Sequence, residues 1–306
     1  MHSALPALGT GYSLLSTQRA LAMAPALAER AGSVHEVRPG RVDEIAGELL
    51  REVDPGALIV ALGGGRVVDT AKALAAARAP ASRPLVAAVP TTLSAAEMTA
   101  VHRRAAGADG SLPGVRPARV VNDPALSASQ PRVELAASAA NALAHAAEGP
   151  ATVRASPLPA LAGAEAARLI EAAYASGDDE PDRDMLALAA LLSGYTIDSA
   201  GYGLHHVLSQ TLARFAGVAH GSANAVMLPH TLVALERRGA PAAGALVDLA
   251  SDLASRAEAV SLRALGVDEE TLDACAVAAA ERAELNATPP RADRDELRAL
   301  YAAAYG

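Results

Sequence analysis

Apolar residues in the first ~120 positions alternate between short continuous runs and helical patterns. The runs predict strands over residues 12–16, 33–37, 57–62, 85–89 and 119–122. Apolar positions spaced three or four apart predict helices over residues 18–31, 42–53 and 67–78. Strands separated by helices at these intervals indicate parallel pairing in an open α/β sheet. Ligands bind to such sheets beyond the carboxyl ends of the strands.

The pattern changes after the segment Asn122-Asp123-Pro124. Strand signals nearly vanish, and alanine- and leucine-rich helical periodicity continues to the end of the chain. The sequence therefore predicts an α/β domain over residues 1–124 and an all-helical domain over residues 125–306. Helix breaks are expected near residues 149–150, 176–181, 216–222, 239–241 and 288–290.

Composition narrows the function classes. Aromatic residues make up only 2% of the 306 residues, so alanine, leucine and valine must fill the core. The net charge of −8, without a basic stripe, argues against a nucleic-acid partner. The single Cys275 excludes a disulfide within the chain and a cysteine-cluster metal site. Without a signal-peptide pattern or an apolar stretch of ~20 residues, we expect a cytoplasmic protein that acts on a small molecule.

A glycine turn follows the third predicted strand. Gly63, Gly64 and Gly65 lead into a helix that carries Asp69 and Lys72. Free N–H groups and the positive end of the helix dipole would face an anion at this turn, and the anion we expect there is a pyrophosphate. A plain glycine turn that joins strand to helix is the other interpretation.

Hydroxyl groups follow the next strand, in the segment Pro90-Thr91-Thr92-Leu93-Ser94. They could donate hydrogen bonds to phosphates or to a nicotinamide amide. They could instead cap a helix, because Ser94 and Glu97 fit the spacing of a capping box. Two polar strand ends on one sheet favour a shared ligand.

Histidines are concentrated in the helical half of the chain. Asn141 and His145 are four residues apart and lie on one helix face, with Glu148 one turn on. Three imidazoles and a side-chain carbonyl from three segments could converge on one divalent ion. Packed or capping histidines are the alternative. The other histidines of this group are His205, His206 and His220.

Together these segments resemble the iron-containing alcohol dehydrogenases, and among them most the maleylacetate reductases. The glycine segment is similar to the signature G-G-G-S-x-x-D-x-A-K of that family, and the hydroxyl segment to P-T-T-x-x-S-x-E-x-T. The order and spacing of the matching segments agree over most of the chain. The segments are Gly63–Lys72, Pro90–Thr99, Asn122–Leu126, Asn141–Glu148, Gly203–His206 and Ala219–Pro229.

The resemblance implies a Rossmann-like domain, a helical domain with the dehydroquinate synthase-like superfold, and a cleft between them. It implies an NAD(P)-dependent oxidoreductase that transfers a hydride between nicotinamide and a small alcohol or carbonyl compound, such as an oxo acid of the maleylacetate kind, and that forms a homodimer. Its catalytic residues would be His145, His205 and His206, and its metal ligands, for Fe²⁺ or Zn²⁺, would be Asn141, His145, His206 and His220. Its cofactor-binding residues would be Gly63, Gly64, Gly65, Asp69, Thr91, Thr92 and Ser94.

Three departures from the family pattern bear on these expectations. Asn141 stands where metal-dependent members have an aspartate, which weakens any metal site. Gln210 replaces a histidine that many relatives place near the substrate. The segment Ser16-Thr17-Gln18 lacks the acid that would repel a 2′-phosphate, so NAD and NADP both stay open. The alternatives are a member that binds dinucleotide without catalysis and a lyase like the dehydroquinate synthases. Arg103, Arg104 and Arg214 could bind a substrate carboxylate or be ordinary surface residues.

Overall fold

A computed structural model describes residues 5–79, 82–109, 111–175, 180–240 and 243–306. The described chain forms two compact units, Met1–Gln130 and Pro131–Gly306. The expected helix breaks at 176–181 and 239–241 lie partly outside the described residues, as does the start of the N-terminal segment. No helix among the described residues is long and apolar enough to cross a bilayer.

The first unit contains one parallel five-stranded sheet. Its strand order is β2-β1-β3-β4-β5, and the register runs from Leu15 to Ala61 and on to Ala88. The strands are β1 Tyr12–Ser16, β2 Ala31–Glu36, β3 Ile59–Gly63, β4 Val86–Pro90 and β5 Arg119–Val120. The helices are α1 Leu5–Leu8, α2 Gln18–Met23, α3 Pro25–Glu29, α4 Val42–Leu49 and α5 Gly65–Ala76.

Both faces of the sheet are buried, as parallel sheets require. Leu15 and Ala61 face one apolar cluster with residues of α4 and α5. Leu14 and Val60 face the opposite cluster with residues of α2 and α3. Because side chains alternate along a strand, the continuous apolar runs of the sequence fill both clusters.

Two boundaries differ from the predictions. The single helix expected over residues 18–31 is wrong: it is divided into α2 and α3, because Pro25 lacks the N–H that a continuous helix needs. The units divide after residue 130, six residues beyond the expected boundary at 124. The intervening 3₁₀ helix Pro124–Ser129 belongs to the first unit, where Leu126 packs into the core beside α2.

The regular elements of the second unit are all helices within the residues that the structure describes. The predicted fold class, a parallel-sheet domain followed by a helical domain, is confirmed. Helix α6 is buried almost all round by its neighbours, since alanine side chains let helices approach closely. The helices are α6 Arg132–Glu148, α7 Pro157–Tyr174, α8 Arg183–Ala200, α9 Leu204–Phe215, α10 His220–Glu236, α11 Val247–Arg256, α12 Thr271–Ala280 and α13 Arg294–Tyr305. Short 3₁₀ segments lie at Gly149–Ala151, Gly244–Leu246 and Ala283–Ala287.

Candidate active site

The glycine turn and the hydroxyl segment of the first unit are neighbours. Strands β3 and β4 end side by side, and the Thr91 N–H donates to the Gly63 carbonyl at 3.0 Å. A Cβ added to Gly64 would lie 3.0 Å from Thr92 Cγ2. One added to Gly65 would lie 3.0 Å from Ser94 Cβ. Glycine at both positions lets the start of α5 close against the hydroxyl groups.

This corner of the sheet has the features of an anion site. Helix α5 begins immediately after Gly64, which has no side chain to cap it. The Val67 N–H already donates to the Gly64 carbonyl at 2.9 Å, so the N–H groups of Gly65 and Arg66 are the ones without an acceptor in the helix. The Thr92 hydroxyl is buried and makes no hydrogen bond within the described structure. A buried hydroxyl without a partner is costly, so it points to a ligand beside the turn.

Asp69 and Lys72 face the hydroxyl segment from inside α5. The Lys72 ammonium is fully buried, lies 2.8 Å from the Asp69 carboxylate, and donates to the carbonyls of Ala96, Thr99 and Val101 at 2.8, 3.0 and 2.8 Å. Lys72 therefore fixes the backbone that follows the hydroxyl groups. The Asp69 carboxylate pairs with a lysine of its own helix, and its contact with a cofactor stays a prediction.

The capping-box interpretation of Ser94 and Glu97 is wrong. No helix begins there, and Ala95 adopts a left-handed φ of 62°. The Ser94 hydroxyl instead accepts from the Ala96 N–H at 3.3 Å within the loop. The Glu97 carboxyl is buried, and burial raises its pKa to about 7.

In the second unit, helices α6 and α9 bring the predicted histidines together. The rings of His145 and His206 stack with centroids 4.8 Å apart and planes 10° apart. Glu148 is completely buried beneath them and accepts from His206 Nδ1 at 2.5 Å through Oε2. Its Oε1 accepts from the His205 backbone N–H at 2.6 Å. The first turn of α9 thus holds a carboxylate that fixes the His206 ring.

The His205 ring meets the His206 ring edge-on, with centroids 5.0 Å apart, and its two nitrogens join a separate hydrogen-bonded chain. Its Nε2 contacts Asn224 Oδ1 at 3.0 Å, and its Nδ1 contacts the Thr231 hydroxyl at 2.8 Å. Asn224 Nδ2 donates in turn to the His220 carbonyl at 2.9 Å and lies 3.2 Å from His220 Nε2. Since the Asn224 oxygen can only accept, His205 carries its proton on Nε2. Both ring nitrogens of His205 are therefore engaged.

Burial keeps the imidazoles of this cluster neutral. It lowers the pKa of His205 and of His206 to about 3 each, and holds the pKa of His145 well below its usual range. Burial raises the pKa of the Glu148 carboxyl, while backbone N–H groups at the start of α9 oppose that rise.

Three buried atoms of the cluster have no hydrogen-bond partner within the described structure: Asn141 Oδ1, His145 Nδ1 and His206 Nε2. They point to a ligand, but the set does not fit a divalent ion. The nearly parallel stack places the rings of His145 and His206 side by side, and the orphaned atoms include no anionic donor. The described residues contain no group of three histidine, cysteine or acidic side chains arranged to hold a metal. Besides burial, His220 helps to lower the pKa of both His145 and His206, and its place in the expected ligand set stays a prediction.

The structure adds three residues that sequence reasoning missed. The Tyr202 ring lies 5.7 Å from the His206 ring, tilted by 53°. Arg282 donates to Gln210 Oε1 at 2.9 Å and forms a two-point ion pair with Glu284. Their only signal in the sequence is that Gln210 lies one helical turn after His206. Gln210 and Arg282 are 72 positions apart in the sequence, so their contact could not be predicted from local spacing.

The three arginines considered as carboxylate ligands belong to different units, and their contact with a substrate stays a prediction. Arg214 is exposed near the end of α9, and Arg103 is exposed in the first unit. Arg104 is half-buried in the first unit.

Known proteins similar to this chain in sequence and in structure identify its family. Residues 135–305 match the model of the Fe-containing alcohol dehydrogenase family, C-terminal. A maleylacetate reductase from Pseudomonas aeruginosa is 31% identical over 87% of this chain and 79% of its own length. The crystal structure of maleylacetate reductase from Agrobacterium tumefaciens superposes with a TM-score of 0.84 at 26% identity, covering 99% of this chain and 92% of that one.

An iron-containing alcohol dehydrogenase from Corynebacterium glutamicum superposes with a TM-score of 0.81 at 25% identity, covering 100% of this chain and 90% of that one. The match of the family model spans more than half of the chain, and the Pseudomonas relative covers most of both sequences. The chain belongs to the iron-containing alcohol dehydrogenase family and is an NAD(P)-dependent oxidoreductase.

Proposed function

We propose that this enzyme reduces a dicarboxylic oxo acid of the maleylacetate kind with NADH or NADPH, without a metal ion. The buried stack of His145 and His206 over Glu148 carries the proposal. Three polar atoms of this cluster have no partner within the described structure, and none of them carries a negative charge that would hold a cation. The similarity to several maleylacetate reductases supports the substrate class.

In the first unit, the N–H groups at the start of α5 would bind the cofactor pyrophosphate, and the hydroxyls of Thr91, Thr92 and Ser94 would orient the dinucleotide. The bound cofactor supplies a hydride from C4 of its nicotinamide. Ser16 at the end of β1 donates its hydroxyl to the Leu62 carbonyl at 2.8 Å, and no acid replaces it there. Glu36 lies beside Ser16 at the end of the neighbouring strand β2, so the choice between NADH and NADPH stays open.

In the second unit, the substrate oxygen gains negative charge as the hydride arrives. The Nδ2 amide group of Asn141, turned toward the substrate, and a ring N–H of His145 would donate to that oxygen. His145 would pass it a proton, which solvent would replace on the other ring nitrogen. Glu148 would hold His206 with its proton on Nδ1, so that Nε2 could accept a hydrogen bond from a hydroxyl group of the cofactor or a proton from solvent. His205, bonded on both ring nitrogens, would position Asn224 and His220 and would not exchange protons.

The test is a screen of oxo acids, ketones and aldehydes with NADH or NADPH oxidation as the readout. His206→Ala should abolish turnover while dinucleotide binding, followed by fluorescence titration, is retained. Retained turnover in His206→Ala would contradict the assignment. A protein that binds NADH but turns over nothing would be a non-catalytic relative. One that releases product without consuming NADH would favour the lyase alternative.

Metal analysis of the purified protein tests the metal-free proposal. We expect substoichiometric iron and zinc, and full activity after treatment with a chelator. Activity that is lost on chelation and restored by Fe²⁺ or Zn²⁺ would refute that part. A homodimer, which the resemblance implies, and a cytoplasmic location, which the sequence pattern predicts, both stay predictions. Light scattering would test the first.

A further inference from the structure

The unpartnered atoms around His206 do not explain how the site would select a charged substrate. The orphaned polar atoms belong to Asn141, His145 and His206, and none of them is a fixed charge. Neutral groups can hold a carbonyl oxygen, but they give little preference for an oxo acid over an uncharged ketone. A fixed positive charge near the stack would provide that preference.

Arg282 lies where such a charge is needed. Gln210 is one helical turn beyond His206 on α9, so the two side chains share a helix face. Arg282 Nη2 donates to Gln210 Oε1 at 2.9 Å, which places the guanidinium at that face. The Arg282 side chain is 21% exposed, so it is sheltered without being sealed from a ligand.

The guanidinium is held rigidly on one side. Its Nε and Nη2 donate to Glu284 at 3.1 and 2.7 Å, and the Tyr202 hydroxyl donates to the same carboxylate at 3.3 Å. Tyr202 in turn packs its ring on His206. The network therefore reaches His206 both through Gln210 and through Tyr202. These hydrogen bonds use Nε and Nη2, and Nη1 takes no part in them.

We infer that Arg282 is a specificity-determining residue that binds a carboxylate of the substrate, and that Gln210 and Glu284 hold its guanidinium for that contact. This inference rests on the proposed reduction of an oxo acid. Arginine suits the role because Nε and Nη2 can stay on Glu284 and Gln210 while Nη1 donates to a second carboxylate. Glu284 would moderate the affinity, since it leaves the pair neutral before the substrate binds.

The experiment compares charged and uncharged ligands in matched variants. Arg282→Met should raise KM for a dicarboxylic oxo acid by about 10- to 100-fold, the effect of losing one charge-assisted hydrogen bond. KM for the dimethyl ester of the same acid should change little. Arg282→Lys keeps the charge without the fork and should fall between wild type and Arg282→Met for the acid. Arg291→Met, an exposed arginine of the same segment, is the control and should behave as wild type.

The variant Glu284→Gln distinguishes substrate binding by Arg282 from a purely structural role of the Arg282–Glu284 ion pair. If Arg282 binds a carboxylate, removing its internal counter-charge should lower KM for the acid several-fold, opposite to Arg282→Met. If the Arg282–Glu284 pair only stabilises the fold, Arg282→Met and Glu284→Gln should lose activity to the same extent, on the acid and on the ester. This result would overturn the inference. Denaturant midpoints of all variants show which of them are folded.

A binding measurement tests the inference even if the protein does not catalyse the proposed reaction. Glutarate, a dicarboxylate that cannot be reduced here, is titrated by calorimetry into the full-length protein with NADH present. Arg282→Met should weaken glutarate binding by the same factor as it raises KM. Equal affinity in wild type and Arg282→Met would overturn the inference. Absent turnover with every substrate, together with Arg282-dependent glutarate binding, would reject only the reaction.

Discussion

Replacing Glu148 by glutamine removes one charge from the base of the histidine stack and leaves its volume nearly unchanged. The carboxylate accepts two hydrogen bonds, from His206 Nδ1 at 2.5 Å and from the His205 backbone N–H at 2.6 Å. A glutamine has one oxygen for two donors. If that oxygen keeps the backbone N–H, its amide N–H₂ faces His206 Nδ1, and the imidazole proton must move to Nε2.

The magnitude follows from that tautomer change. Carboxylates that orient a functional histidine contribute roughly 10- to 100-fold to activity. We therefore expect kcat/KM of Glu148→Gln to fall by this factor, or about 1.4–2.7 kcal/mol of transition-state stabilisation. The free energy of unfolding should change by less than about 2 kcal/mol, because the lost charge-assisted bond is offset by the removal of a buried charge.

The assay combines steady-state NADH oxidation, fluorescence titration of NADH and urea unfolding. Dinucleotide affinity should not change, since Glu148 belongs to the second unit and the expected phosphate site to the first. Glu165→Gln alters an exposed carboxylate that pairs with Arg168 on α7 and is the matched control. Wild-type kcat/KM in Glu148→Gln, with the variant fully folded, would refute the role given to this contact.

Three further predictions concern the first unit. Lys72→Met should lower the free energy of unfolding by at least about 3 kcal/mol, because three carbonyls lose a buried donor, and Lys72→Arg should lose less in urea titrations. Burial raises the pKa of Glu97 from 4.5 to about 7, so the folded state binds the extra proton between these values. The free energy of unfolding should fall by up to about 1.4 kcal/mol per pH unit as pH rises through that window, and Glu97→Gln should flatten the slope. Gly64→Ala should weaken NADH binding because its Cβ would lie 3.0 Å from Thr92 Cγ2, whereas Gly56→Ala should not; equal affinities would contradict this.

The elements of the first unit could be predicted because their signals are local. Continuous apolar runs mark strands buried on both faces, and the glycines after Leu62 mark the point where β3 ends. Pro25 was also a local signal, and it accounts for the division of the expected helix. The false capping box shows the limit of such patterns. Ser94 and Glu97 have the right spacing, but the contacts of Lys72 with the following backbone impose a different loop.

The candidate site could be predicted only in part, because its decisive contacts join distant segments. Spacing placed Asn141 and His145 on one helix face, and the His205-His206 pair marked a second helix. Nothing local reveals that Glu148 lies under His206, 58 residues later. Nor does spacing show which of two adjacent histidines joins the stack, since that depends on the rotation of α9 against α6.

The loss of an acid at position 141 has a physical consequence for the whole cluster. A cation in this buried site would meet only uncharged orphaned donors, because the charge of Glu148 is directed at His206 and at the N-terminus of α9. The desolvation of a divalent ion would then be poorly offset. An uncharged carbonyl carries no such penalty, and its oxygen becomes negative only as the hydride arrives. A neutral, hydrogen-bonding pocket would therefore stabilise the transition state more than the ground state, which is the condition for catalysis.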